Sequence, residues 1–258
     1  MKPFKISVVI PSYNKVKYVR QTLDSIFLQK YPDFEVIIQD GSSTDGTLEI
    51  IKEFAKKYPK IIKWESEKDK GQLDAINKGF RKAGGDIFTF INADDVYEKE
   101  AFNSVADVYS KNPSALWFAG RGIVMDEKGK EIARAITWYK NLLLLVNKYY
   151  LLLITNYLMQ PSVFITRGAY EKCGPFTGTE NFITEYELWL KLGRTKMPVV
   201  INKNLSGFRI EPSTKTKRMF NRILKEDERI AYKYSKNRFI LPFHKLHNLG
   251  RIIIERFV

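Results

Sequence analysis

The sequence predicts an α/β protein: a mostly parallel, twisted sheet flanked by helices, with an amphipathic helical extension at its C-terminal end. Three observations carry this. Over the first 120 residues, short β-branched apolar runs alternate with longer helix-period stretches, the pattern of right-handed βαβ crossovers. The loops that follow the strands are polar, and three of the first four carry carboxylates. Finally, residues 217–258 interleave apolar and basic side chains, with 11 Lys/Arg against 4 Asp/Glu.

Taken in order, Lys5–Ile10, Phe34–Gln39, Ile61–Glu65, Asp86–Ile91 and Ala115–Ala119 read as strands. Val16–Gln29, Thr47–Lys57, Gln72–Ala83 and Glu98–Ser110 read as the helices between them. After Gly120 the regularity breaks. Arg121–Arg134 reads as a strand pair around the turn Glu127–Lys130. Trp138–Met159 is very apolar but carries Asn147 and Lys148 at its middle. A membrane span needs about 20 uninterrupted apolar residues, so a helical hairpin, or one helix lying in a membrane interface, is expected here. Gln160–Ile165 reads as a further strand and Glu185–Leu192 as an amphipathic helix. Residues 1–216 are expected to form one domain, with 1–120 and 121–216 as its two halves. Residues 217–258 are expected to add the basic amphipathic segment.

Composition bounds the function. A chain of 258 residues with 44% hydrophobic content buries a full-sized core. The single cysteine, Cys173, excludes an internal disulfide and a Cys-based zinc site and fits a reducing compartment. The opening residues lack the features of a secretory signal, so a cytoplasmic location is expected. The net charge of +14 calls for an anionic partner, and half of it lies in the last 42 residues, among Phe239, Ile240, Phe243, Leu246, Leu249 and Ile252. That mixture fits peripheral contact with an anionic membrane, on the inner face of the cell membrane, better than it fits nucleic acid. No G-x-G-x-x-G follows the first strand, which excludes a nicotinamide-dependent oxidoreductase.

In parallel sheets ligands bind at the carboxyl ends of strands, so the four loops 11–14, 40–46, 66–71 and 92–95 mark the site. Asn92-Ala93-Asp94-Asp95 places adjacent carboxylates at a strand end, where a hard divalent cation, Mn²⁺ or Mg²⁺, relieves their repulsion. The alternative is a solvated turn capping the next helix. The two histidines, His244 and His247, lie in the basic tail and are remote from this loop in sequence. Asp40 can accept a hydrogen bond from a base-edge N–H such as the uracil imide, whereas cytosine presents an acceptor there. Thymine and guanine also offer a ring N–H.

These blocks carry a family likeness. Ser7–Asn14, Glu35–Thr47, Asp69–Gly79 and Asn92–Asp95 occur in the order seen in family 2 glycosyltransferases, which the chain resembles over about residues 5–216. The resemblance implies the GT-A fold, a nucleotide-diphosphate sugar donor and inversion at the anomeric carbon. It implies that Pro11, Ser12, Tyr13, Asn14, Asp40, Asp69 and Gln72 surround the nucleotide. It makes Asp94, with Asp95 beside it, the metal-binding end of a DXD motif. Three positions depart from the pattern. Asn92 stands where an Asp is usual, Glu185 where a catalytic Asp is usual, and Glu211 where a His is common. Glu185 is then the expected general base, residues 1–120 the nucleotide-binding half and 121–216 the acceptor half, and Asp74, Asn92, Gln160, Glu187 and Glu211 are candidates for the donor or acceptor side. The implied function is transfer of a sugar, from UDP foremost, to an acceptor hydroxyl in surface glycan or polysaccharide assembly. A polyprenyl-phosphate acceptor, or a non-catalytic nucleotide-sugar-binding protein on a degenerate scaffold, are the alternatives.

Overall fold

The computed structural model describes residues 4–178, 184–210, 219–235 and 240–255. The first half follows the alternation seen in the sequence. Strand β1 (Ile6–Ser12), helix α1 (Val19–Phe27), β2 (Phe34–Asp40), α2 (Thr47–Lys57), β3 (Ile62–Ser66), α3 (Gln72–Lys82) and β4 (Ile87–Phe90) form parallel crossovers. β1 pairs with β2 from Ile6↔Phe34 to Ser12↔Asp40, and on its other edge with β4 from Ile6↔Ile87. The chain therefore steps outward from β1 to β3 and then returns to the far side of β1. That reversal opens a crevice at the carboxyl ends of β1 and β4.

The second half comprises β5 (Val96–Tyr97), α4 (Ala101–Lys111), β6 (Trp117–Met125), β7 (Glu131–Ile132), α5 (Arg134–Val146) and α6 (Tyr149–Ile154). A short 3₁₀ turn (Gln160–Ser162) leads to β8 (Val163–Thr166), α7 (Arg167–Cys173), α8 (Thr184–Thr195) and β9 (Val199–Arg209). Two helices follow, α9 (Phe220–Tyr234) and α10 (Ile240–Glu255). Among the described residues one sheet runs in the order β3-β2-β1-β4-β8-β6-β9-β5, with β7 paired to β6. The α/β architecture is the expected one. The parallel order holds for β1 to β4; beyond them β8 is antiparallel to both neighbours and β5 to β9, so the whole sheet is mixed.

Both faces of the sheet are covered, which is why its strands read as continuous apolar runs. Alternate residues separate into two cores. Val8, Ile10, Val36 and Ile38 pack with Leu23, Ile26, Ile51 and Phe102 on one face. Val9, Ile37, Phe88 and Trp117 pack with Ile76, Phe80 and Trp189 on the other. Helix α3 presses onto β1 through Gly79, where an added Cβ would stand 2.3 Å from a Val9 methyl.

Three sequence expectations are refined. Gly120 does not end its strand: β6 continues to Met125 through a register shift at Gly120–Gly122, and the turn beyond it closes a hairpin with β7. Trp138–Met159 is two helices. Asn147 adopts a left-handed conformation, φ 50° and ψ 54°, and donates its side-chain amide to Pro198 O at 2.9 Å, which stops α5 there. Gln160–Ser162 is a 3₁₀ turn that holds Pro161, so the strand begins only at Val163. Among the described residues no helix is long and apolar enough to cross a membrane.

Candidate nucleotide and metal site

The four loops at the crevice are stitched to one another by short polar bonds. Asn14, left-handed at φ 50°, donates its backbone N–H to Ser43 Oγ at 2.9 Å and accepts at Oδ1 from Thr44 N–H at 2.9 Å. Asp40, buried at the end of β2, accepts from Ser43 N–H at 2.9 Å, Ser43 Oγ–H at 2.5 Å and Ser66 Oγ–H at 2.6 Å. A carboxylate offers about four lone-pair sites, and these three bonds use three of them. Asp69 accepts from Gly71 N–H at 2.8 Å. Its other oxygen lies 2.9 Å, and the Tyr13 ring edge 3.4 Å, from where a Cβ on Gly41 would stand. Three loops thus converge on one glycine, and a side chain there would displace the Asp69 carboxylate. Tyr13 itself is 62% exposed, an aromatic face open to solvent, whereas the buried Ser12 hydroxyl has no hydrogen-bond partner among the described residues.

The β4 end forms a second, linked network. Gln72 Nε2 donates to Asn92 Oδ1 at 2.6 Å, and Asn92 Nδ2 donates to Asp95 Oδ2 at 3.1 Å. Asp95 Oδ1 accepts from Arg209 N–H at 2.8 Å, and Thr22 donates to the Asp95 carbonyl at 2.7 Å. Asp95 is 1% exposed. Burial, reinforced by the neighbouring Asp94 charge, pushes its carboxyl well above the usual range against the bonds from Arg209 and Asn92. Asp94 instead faces the crevice, where its Oδ2 pairs with Lys15 Nζ at 2.6 Å. Among the described residues no three His, Cys, Asp or Glu side chains group to hold a metal. The donor set is the single Asp94 carboxylate, 8% exposed and paired with Lys15, which suits a hard cation that takes its remaining ligands from phosphates and water.

Two residues that sequence reasoning missed organise this loop. Lys15 is one. The other is Arg209, fully buried at the end of β9. It donates from Nε to Asp94 O at 2.7 Å, from Nη1 to Asp126 O at 3.0 Å and Glu127 O at 2.8 Å, and from Nη2 to Gln21 Oε1 at 2.9 Å. Its guanidinium also lies 4.7 Å from the Tyr18 ring centroid. The signals were a Lys directly after Asn14 and an Arg inside the block that begins at Gly207.

The remaining candidates divide. Gln160 donates to Phe90 O at 2.7 Å, so it sits beside the β4 end, and its Oε1 is buried without a partner among the described residues. Asp74 caps the start of α3, accepting from Lys70 N–H at 3.2 Å and pairing with Lys78 at 3.2 Å. Glu187 is buried and accepts from Thr177, Lys233 and Tyr234 at 2.8, 2.6 and 2.8 Å, which clamps α9 onto α8. Burial alone would raise its carboxyl, but these three bonds and the Lys233 charge hold it at about 2. Glu185 lies half-buried in the first turn of α8, within electrostatic reach of Lys140 on α5. The next residue, Tyr186, fixes that turn by donating to Leu152 O at 2.8 Å. Glu211 lies outside the described residues.

The sequence model of glycosyl transferase family 2 matches residues 7–173, more than half of the chain. The chain belongs to that family. This family 2 chain is 36% identical over 109 residues to the Methanococcus voltae dolichyl N-acetyl-alpha-D-glucosaminyl phosphate 3-beta-D-2,3-diacetamido-2,3-dideoxy-beta-D-glucuronosyltransferase, a match covering 41% of this chain and 34% of the relative. The chain spans no more than about half the length of the curated relatives it matches. Among solved structures, the mannosyltransferase PcManGT from Pyrobaculum calidifontis, in complex with GDP-Man and Mn²⁺, superposes with TM-score 0.70 at 18% identity, covering 96% of this chain and 70% of the other. S. aureus TarS 1-349 in complex with UDP-GlcNAc gives TM-score 0.64 at 17% identity, covering 98% and 72%. At such identities these likenesses establish the GT-A fold of the family 2 chain.

Proposed function

We propose that this chain is an inverting glycosyltransferase that moves a sugar from a nucleotide-diphosphate donor, UDP-linked, to an acceptor hydroxyl in surface glycan or polysaccharide assembly. The observation that carries the reading is the convergence of Tyr13, Gly41 and Asp69 into one slot beside Asp40, with Asp94 facing the same crevice. A base would lie in that slot against the Tyr13 ring, with Asp40 and Asp69 accepting from its polar edge and from the ribose. The unpartnered Ser12 hydroxyl supplies a further contact. Bound ligands in the fold neighbours support this: GDP-Man with Mn²⁺ in one and UDP-GlcNAc in the other.

Asp94 would hold Mn²⁺ or Mg²⁺, which when bound neutralises the diphosphate and eases departure of the nucleotide. Asp95, both of whose oxygens accept from protein donors, is assigned to shaping the loop that presents Asp94. Lys15, already in contact with Asp94, can turn to the same phosphates. Glu185 would take the proton from the attacking hydroxyl, general base catalysis being worth roughly 10²–10⁴-fold. The work is assigned to the inner face of the cell membrane, with the basic C-terminal segment in peripheral contact with anionic lipid.

Calorimetric titration with UDP, GDP, dTDP and CDP, each with Mn²⁺ and with EDTA, tests the donor site. Manganese-dependent binding of one nucleotide, lost in Asp94→Ala, is expected. Absence of binding by folded protein to all four defeats the reading. A polyprenyl-phosphate acceptor is the second reading, favoured by the apolar outer face of α5, where Trp138 is 66% exposed. A phosphate nucleophile needs no strong base, so full activity of Glu185→Gln would select it.

A further inference from the structure

We propose that the outward faces of α5 and α10 form one continuous docking surface for an anionic lipid bilayer. This extends the membrane contact proposed above from the basic tail to a helix a hundred residues upstream, and it rests on that reading.

The two helices are neighbours. The Tyr139 and His247 rings stack with centroids 5.9 Å apart, and His244 Nδ1–H donates to Leu153 O at 2.9 Å, which seats α10 against α6. On α5, Trp138, Leu142 and Leu145 follow helical spacing and all three are exposed. On α10, Phe243, Leu246 and Leu249 do the same. The polarity of α10 is inverted relative to a helix that faces water. His244 and Asn248 are buried and bonded to each other at 3.0 Å, while Phe243 and Leu246 stand 59% and 65% exposed. A helix that hides its amides and shows its apolar stripe is matched to an apolar partner.

Charge selects the partner. No Asp or Glu occurs between Glu131 and Glu171, a stretch that contains Arg134 and Lys148, Lys140 being turned inward toward Glu185 and Asp227. Residues 217–258 add a net of +7. A second copy would bring two basic C-terminal segments together, whereas anionic headgroups balance their net positive charge. Trp138, Tyr139 and Tyr150 are the ring types that settle at headgroup depth.

Flotation with phosphatidylcholine vesicles, with and without phosphatidylglycerol, tests this on the full chain. The variant pairs Trp138→Ser with Leu142→Ser, and Phe243→Ser with Leu246→Ser, remove only exposed groups, and nucleotide titration of each confirms a folded crevice. The expected result is binding to the anionic vesicles alone, weakened about tenfold or more by either pair. Three results would overturn it: no binding to anionic vesicles, undiminished binding by the α5 pair, or a solution dimer that the same pairs dissolve. Vesicle binding by a chain that binds no nucleotide would sink the donor reading and leave this one standing.

Discussion

Replacing Arg209 by Met removes four hydrogen bonds at once. Three of the acceptors are backbone carbonyls, of Asp94, Asp126 and Glu127, and the fourth is Gln21. The Asp94 carbonyl is buried, and a buried acceptor left unmade costs about 1–3 kcal/mol. The other two carbonyls are partly buried and lose about 0.5–1.5 kcal/mol each, and the stacking on Tyr18 adds about 0.5–1 kcal/mol. The sum is about 2.5–7 kcal/mol, a large fraction of the 5–15 kcal/mol typical of a folded domain. Arg209→Lys keeps the charge but not the fork of donors, so it recovers only a minor part. Urea denaturation should show the midpoint falling with an unchanged slope in Met and, less so, in Lys. Because the Asp94 carbonyl is pinned by the same group, manganese-dependent nucleotide affinity should fall together with stability. A Met variant within about 1 kcal/mol of the parent, with nucleotide affinity intact, would refute the assignment of Arg209 as the keystone of the metal loop.

Glu35 sets an acid limit. Burial would raise its carboxyl, but Ser7, Gly84, Lys63 and Lys5 hold it at about 2 against an ordinary 4.5. A depressed carboxyl contributes stability above the unfolded value that is lost as pH falls from about 4.5 to about 2. That contribution is about 3 kcal/mol, and Glu35→Gln should flatten this limb of a stability-against-pH curve. Glu187→Gln should loosen the Lys233 and Tyr234 contacts, read as amide exchange in α9 faster by about tenfold with α2 unaffected. Glu185→Gln should lower kcat by roughly 10²–10⁴-fold while leaving donor affinity within about twofold; equal loss of both would make it structural.

Much of the first 120 residues was legible because its logic is local. Apolar runs such as Ser7-Val-Val-Ile10 can be buried on both faces only as inner strands, and the polar residues just past them mark the crevice. Contacts that close the site across sequence were not legible. Arg209 meets Asp94 across 115 positions, and no periodicity announces that pairing. Gly120 misled for a related reason. It reads as a breaker, but an added Cβ would stand 2.3 Å from Leu205, so the glycine marks a close approach of β6 to β9. The same holds for Glu185 and Glu187, two positions apart in one helical turn. Only packing shows that the second is spent on Thr177, Lys233 and Tyr234.

That last clamp bears on how the chain can be divided. The change of charge at residue 217 invites a cut there, yet Ile230 belongs to the same apolar core as Trp117 and Trp189. Lys233 and Tyr234 hold the helix that begins with the proposed base. A fragment ending at 216 would keep every described residue assigned to the nucleotide and still leave Glu187 on α8 without Lys233 and Tyr234. Such a fragment is expected to retain donor recognition and lose transfer, uncoupling the two halves of the reaction by removing residues that touch neither substrate.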